Sequence, residues 1–259
     1  MPLPTSLQNQ IASTLLNTKS LPVSQHWLQT YCNSINPSSN AVPLQALVHT
    51  ALYRILHSDI QDTLSIDRTL PTDVFNPAIK ERVIAGVAIP VQVVDIDDIG
   101  SSAWNQIEAI ERVERGEAVR GREIIRTVNM DGPNGLEEGG NNNNNNNRNN
   151  GNGSTISSST GPYRLILQDS VGTRVVGVEL KSIDGIALGK LSIGAKIILR
   201  NVTVARGIIL LVPDSVTVLG GKIESLDRDW RESRKNRLEQ RLAQAERPQA
   251  QVNGQIRID

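Results

Sequence analysis

Cysteine is nearly absent: Cys32 is the single one in 259 residues. A disulfide framework and any multi-cysteine zinc site are therefore excluded, and a lone thiol fits a reducing compartment. Aromatic residues are scarce too, with three tryptophans, three tyrosines and one phenylalanine. No sign of charge dominates, since 27 Lys and Arg face 27 Asp and Glu. A neutral chain has no global attraction for a polyphosphate backbone, which disfavours a wholesale nucleic-acid coat. No run approaches the roughly 18 apolar residues that cross a bilayer. The opening MPLPTSLQNQ lacks the basic and apolar parts of a signal peptide. The expectation is an intracellular protein of one or two domains, at about 150 residues per domain.

What is present begins with helices. Leu44, Leu47, Val48, Ala51, Leu52, Ile55 and Leu56 recur at three and four and form one buried stripe. Upstream, Pro22 and Ser24 offer a helix start, with Val23, Trp27, Leu28 and Tyr31 following at helical spacing. NPSSNAVP (36–43) separates these two, and LQNQIASTLL supplies an earlier helix. Residues 1–68 are thus expected to form a three-helix unit.

From residue 83 the pattern turns strand-like, in VIAGVAIPVQVVDI. Gly86 and Pro90 mark bends or an edge in this long first strand. Four β runs follow: YRLILQD (163–169), TRVVGVELKSI (173–183), AKIILRNVTVA (195–205) and IILLVPDSVTVLGG (208–221). Short, glycine-bearing separators between them suit a five-stranded Greek-key barrel of the OB type, with a sandwich fragment as the structural alternative. The fold class expected is α+β, with a barrel over 69–222, a charged helix over 223–247 and a tail over 248–259. The helix carries eight basic and six acidic residues from Lys222 to Arg247, with Ile223, Leu226, Trp230, Leu238 and Leu242 as its apolar stripe.

Between the first two strands lies an insertion, 101–161, far longer than a strand connection requires. Its first half places Trp104, Ile107, Ile110 and Val113 at helical spacing, among five arginines and five glutamates from 104 to 127. Its second half, 129–161, is an asparagine-rich tract with almost nothing to bury, expected to be disordered.

Chemical signals are weak. His26, His49 and His57 all fall in the helical unit without a metal-ligand set. Asp95, Asp97 and Asp98 end the first strand, where adjacent carboxylates can hold Mg²⁺ for phosphoester chemistry. No phosphate loop, nucleophile elbow or zinc-protease pattern completes a site, so neither catalysis nor a cofactor or metal is expected. From Pro162 to Gly221 the only aromatic is Tyr163, and seven basic residues face four acidic ones. Single-strand binding needs stacking platforms, each worth roughly 1–3 kcal/mol, so the barrel reads as protein-binding, with Arg164, Arg174, Lys196 and Arg200 as weak DNA contacts at most.

Three ordered signals carry a resemblance: GIILLVPDSVTVLGG closing the barrel, SQHWLQTYC near the start, and VQVVDIDDIGSSAWNQI leading into the insertion. Over about 20–128 and 162–230 the chain resembles the RecQ-mediated genome instability protein 1 family, in a short, fungal style. The resemblance implies a nuclear, noncatalytic subunit joining a RecQ-family helicase to topoisomerase III and promoting dissolution of double Holliday junctions. It implies that the barrel docks on the topoisomerase, through Val176, Val178, Leu180, Ile209 and Leu211. The loop after the first strand would enter the topoisomerase gate, a role falling here on Trp104, Gln106, Ile107, Ile110, Val113, Ile124 and Ile125. Relatives tend to show Pro-Ala-Tyr where this chain has Ser102-Ala103-Trp104, which keeps an aromatic anchor. An independent single-stranded DNA-binding OB protein is the alternative, and a metal-dependent phosphoesterase using the three aspartates a third reading. Because the 129–161 tract has too little apolar surface to offset the entropy of ordering, deleting residues 139–153 should leave the melting temperature nearly unchanged.

Overall fold

Apolar residues at three- and four-residue spacing build helices α1 (Thr5–Lys19), α2 (Gln25–Asn33) and α3 (Leu44–Leu56), followed by the single turn α4 (Ile60–Thr63). In this computed structural model the described residues are 5–35, 43–116, 118–119, 122–123 and 161–246. Ile11, Leu15, Leu28, Leu47, Ala51 and Ile55 fill the centre of the helical unit. Tyr31 crosses it and donates its hydroxyl to the Leu47 carbonyl at 2.7 Å. Asp59 starts α4 by accepting from the Gln61 amide at 3.0 Å, an N-cap of the usual chemistry.

The strands are β1 (Arg82–Ile84), β2 (Ile89–Asp98), β3 (Ala118–Val119), β4 (Arg122–Glu123), β5 (Tyr163–Gln168), β6 (Arg174–Glu179), β7 (Lys196–Leu199), β8 (Val202–Ala205), β9 (Ile208–Leu211) and β10 (Val216–Gly220). Helix α5 (Ala103–Glu114) follows β2, and α6 (Glu224–Glu246) follows β10. One sheet runs β1-β8-β9-β6-β5-β2-β7-β10, and a separate small sheet pairs β3 with β4. All pairings in the large sheet are antiparallel except β6 with β9. Strands β7 and β8 are two halves of one run, broken at Arg200-Asn201, where Asn201 takes φ 48°. Since β7 and β8 flank the β9-β6-β5-β2 block on opposite sides, that break curls the sheet into an OB-like barrel.

The five expected strands are β2, β5, β6, β7 with β8, and β9. Two differences stand out. The expected first strand from residue 83 splits into β1 and β2, because Gly86 adopts φ 94° and ends the pairing. Strand β10, expected as the end of the last run, is separated from β9 by a 3₁₀ turn at Pro213–Ser215 and pairs with β7.

Inside the barrel, Leu165, Leu167, Val175, Ile197, Leu199, Val204, Ile209 and Leu211 form the core. Gly177 sits tightly there: a Cβ would lie 3.0 Å from Leu211 Cδ1 and 3.2 Å from Leu167 Cδ1, so a larger residue needs those leucine ends to give by a few tenths of an ångström. In β7 the side chains alternate between two cores: Ile197 and Leu199 point into the barrel, while Ile198 packs among the helical residues. Polar ties follow the same seam. Gln92 Oε1 accepts from the Ile60 amide at 3.0 Å, the Ser65 carbonyl from Ser170 Oγ at 2.9 Å, and the Leu56 carbonyl from the Lys222 amide at 3.1 Å.

Lys196 lies in this seam with no exposed surface, donating Nζ to the Ser58 carbonyl at 2.5 Å and the Gly194 carbonyl at 2.8 Å. Burial lowers its pKa to about 8, against the weaker opposing pull of Asp59. An unfolded lysine keeps its proton to about pH 10.4, so across the interval above pH 8 the unfolded chain binds the extra proton and stability rises with pH. From pH 7 to 9 the gain should be about 1 kcal/mol. Burial also raises the Cys32 thiol, whose contribution is lost as pH climbs beyond the free-thiol range. Urea unfolding of the parent and Lys196→Met at these two pH values should show the rise in the parent and its loss in the variant.

Candidate partner-binding surface

The outward face of the barrel follows from strand register. Val83 pairs with Thr203, Thr203 with Leu210, Leu210 with Val178, Val178 with Arg164 and Arg164 with Asp97. Two residues along, Ala205, Ile208, Val176, Ile166 and Asp95 make a second row. Residues opposite one another in a sheet share a face. The rows therefore set Leu210, Val178, Ile208, Val176 and Ile166 side by side on the outside, with Val83 beyond Thr203 at the edge. Val83 is 53 % exposed, Ile208 37 %, and Leu180 at the end of β6 57 %. A contiguous apolar patch of this kind marks an interaction surface more often than a scatter of single side chains does.

Of the barrel residues expected to meet a partner, Val176, Val178 and Leu180 lie on this face. Ile209 and Leu211 do not: both are fully buried in the barrel core, and their neighbours Ile208 and Leu210 face outward. The all-apolar run IILL hides its own parity. Only pairing with β6, which alternates Val176 and Val178 outward, sets the phase.

One side of the face is closed by α6. A bulge between Val93 and Asp95 shifts the phase of β2, so Ile96 points inward where Val93 did, and Asp95 and Asp97 turn outward. Asp95 Oδ1 accepts from Trp230 Nε1 at 2.6 Å. Asp97 accepts from Arg241 at 2.6 Å and from Arg164. Asp98 Oδ1 instead accepts from the Gly100 and Ser101 amides, at 2.8 and 3.1 Å, and holds the turn into α5. The three aspartates are thus spent on an indole, two guanidiniums and a turn. At its start α6 is fixed by Asp227, which accepts from the Ile193 amide at 3.0 Å. Arg234 and Arg237 lie 5.9 and 5.4 Å from the centre of the Trp230 ring.

Helix α5 lies along α6. Ser102 caps it through the Asn105 amide at 3.2 Å. Gln106 donates to the Asp98 and Ser101 carbonyls at 2.9 and 3.0 Å and accepts from Arg234 at 3.0 Å. Lys235 bridges Glu111 and Glu114 at 3.3 and 2.9 Å. The stripe expected to bind a partner divides. Ile107 is 7 % exposed and packs within the protein, as does Gln106, whereas Trp104 at 66 % and Val113 at 40 % face solvent, with Ile110 between. Ile124, Ile125 and the asparagine-rich tract lie outside the described residues.

The four basic residues offered as DNA contacts form no groove. Lys196 is wholly buried and cannot reach a phosphate, a correction that follows from its place between two cores. Arg164 is held by Asp97, Arg174 donates to Gln168 at 2.8 Å, and Arg200 donates to Ser20 at 2.6 Å. Tyr163 is 3 % exposed, so its ring offers no stacking platform.

A family model described as "RMI1, N-terminal OB-fold domain" matches residues 67–234, and one described as "RMI1, N-terminal helical domain" matches 15–63. RecQ-mediated genome instability protein 1 of Schizosaccharomyces pombe is 28% identical over 230 residues, 86% of this chain and 92% of that protein.

The anchorage of α6 is testable through Asp97. Burial alone would raise its carboxyl, but hydrogen bonds and charge from Arg241 and Arg164 outweigh this and hold it below the ordinary carboxylate range. A depressed folded-state pKa contributes stability that is present at neutral pH and lost as pH falls through the acidic range. Both arginines are partly exposed, so Asp97→Asn should cost a screened ~1–2 kcal/mol at pH 7. The cost should shrink toward pH 3, as thermal unfolding across that range will measure.

Proposed function

The chain belongs to the RecQ-mediated genome instability protein 1 family, and we propose that it acts as a noncatalytic adaptor between a RecQ-family helicase and topoisomerase III. In this reading it works in the nucleus, modulates the topoisomerase and promotes dissolution of double Holliday junctions. The observation that carries it is the outward apolar face of Val83, Leu210, Val178, Ile208, Val176 and Ile166, with Val83 and Ile208 exposed and the other four half-buried. The barrel interior is filled by its own side chains, so the barrel serves by its outside. A face this apolar suits the desolvated centre of a protein interface, and the arginines and carboxylates around α6 suit its polar rim.

Docking and modulation draw on different elements. The barrel wall is fixed by strand pairing and supplies area. Trp104 stands on the helix that opens the insertion, clear of the wall, and is an aromatic anchor of the kind that dominates interface energetics. A ligand shifts a conformational equilibrium only by binding its two states unequally. A Trp104 contact made in one gate state alone would bias the topoisomerase without carrying the complex. Binding to DNA by this chain alone is expected to be weak and steeply salt-dependent, since charge without stacking supports nothing tighter.

The experiment pairs two variants. Val178→Arg places a charge in the centre of the apolar face and should reduce capture of topoisomerase III at least tenfold, the equivalent of about 1.4 kcal/mol. Trp104→Ala should leave capture in place and lower stimulation of decatenation. Full binding by Val178→Arg would remove the barrel wall from the interface. Loss of capture with Trp104→Ala would merge the docking and modulating roles.

A further inference from the structure

Aromatic side chains are few in this protein, yet three of its seven, Trp27, Tyr31 and Tyr53, line one cleft on the helical unit, between α2 and α3. Trp27 and Tyr31 stack with centroids 5.3 Å apart and planes within 1°. Across from them, Tyr53 stacks on His57 at 4.2 Å. Tyr53 is 63 % exposed and Arg54 is exposed too, although helix α3 offers a buried side where an idle tyrosine would be covered. The cleft holds about 260 Å³, room for one large side chain and below the ~300 Å³ at which drug-sized pockets begin.

Its charge is one-sided. Arg54 lies 5.2 Å over the Tyr31 ring and donates to Ser34 Oγ at 2.8 Å. Among the described residues it has no carboxylate partner, and none of the residues lining the cleft is acidic. The occupant therefore brings an apolar or aromatic group for the ring faces and an anion for the guanidinium. Nucleic acid supplies both chemistries, but a strand needs a groove that neutralises several phosphates. The helical unit, 1–68, balances Lys19, Arg54 and Arg68 against Asp59, Asp62 and Asp67. One cation beside an aromatic wall suits a single anchor flanked by carboxylates.

We infer that this cleft is a second docking site, on the helical unit and separate from the barrel wall, for a short acidic peptide segment of a partner bearing one aromatic or large aliphatic anchor. The anchor lies against Trp27 and Tyr53, and an adjacent carboxylate pairs with Arg54. The site goes beyond the adaptor reading and does not need it, since neither the barrel wall nor Trp104 takes part.

Three tryptophans in three places make the test specific. Trp27 reports the cleft, Trp104 the exposed end of α5 and Trp230 the contact of α6 with β2. The full chain, labelled with ¹⁵N, is titrated with an octapeptide carrying a central phenylalanine flanked by aspartates, with a lysine-flanked octapeptide and with an eight-nucleotide oligothymidine as the other probes. The acidic peptide should move the Trp27 indole signal and leave Trp104 and Trp230 in place. Tyr53→Ala and Arg54→Glu, both at exposed positions, should each weaken it at least tenfold, Arg54→Lys should retain part of the affinity, and raised salt should weaken binding to the parent protein. No movement of Trp27 at millimolar acidic peptide, or equal binding of the lysine-flanked peptide, overturns the site. Oligothymidine that shifts Trp27 more tightly than the peptide assigns the cleft to nucleic acid and overturns it as a peptide site. Should Arg54→Glu fail to fold, the salt dependence in the parent and the Tyr53→Ala loss decide the outcome.

Discussion

Strand β7 has core on both of its faces, and the arrangement of the protein depends on that double burial. Ile197 and Leu199 belong to the barrel, Ile198 to the helical unit, and Lys196 passes between them with its ammonium on two carbonyl oxygens. A strand of this kind cannot slip by one residue, because the slip would exchange the two cores and drive Lys196 into the barrel. It also makes the helical unit and the barrel one packed body. Ala88, just before β2, and Leu219 in β10 pack against the helical core, and Gln92, Ser170 and Lys222 tie to backbone of the helical unit across the same seam. The lysine is the costly member of this seam. Its desolvation is only partly offset by two hydrogen bonds, and an apolar side chain of similar length would hold the cores together without titrating.

The second organising device is the bulge in β2. One extra residue at Val94 reverses the phase of the strand, so its first half serves the core with Ile89, Val91 and Val93, and its second half turns Asp95 and Asp97 outward. Those carboxylates seat α6, and α6 seats α5 through Arg234 on Gln106 and Lys235 on Glu111 and Glu114. The chain of dependence runs from a single backbone irregularity, through two aspartates, to the place where Trp104 stands.

Much of this was legible in the sequence, and the illegible part has a consistent cause. The helices were readable because amphipathic spacing at three and four is a local property. So was the OB-like order of strands, because valine and isoleucine runs alternate with glycine turns. Parity was not. In IILL both phases are apolar and in VQVVDIDD both mix apolar with polar residues, and only pairing partners and the bulge decide that Ile208 rather than Ile209, and Asp97 rather than Asp98, face outward. The aspartates read only as an acidic strand end without a completed site for the same reason: the partners of Asp95 and Asp97, Trp230 and Arg241, are more than 130 positions away in sequence. Lys196 looked like a surface cation because a lone lysine in AKIILRN carries no local mark of burial. The aromatic cleft escaped notice because Trp27 and Tyr53 come from different helices, each reading as a helix face in its own right.

The apolar wall raises a physical difficulty that its surroundings resolve. An exposed apolar sheet with free edges invites strand addition and aggregation. Here the curl of the sheet consumes most of its edges, since β7 and β8, at the two ends of the six-strand core, are joined through Arg200-Asn201. The edges that remain are poor templates: β1 has three residues, and β10 carries a register shift between Val218 and Gly220 before the chain turns into α6. Backbone hydrogen bonding is therefore a weak route to this surface, and recognition falls on side chains standing off the middle of the sheet. Side-chain recognition depends on shape and on the polar rim, where Arg164, Asp97 and Arg241 stand at the border with α6. The wall can stay apolar enough to hold a partner because the barrel's closure removes the less selective way of covering it.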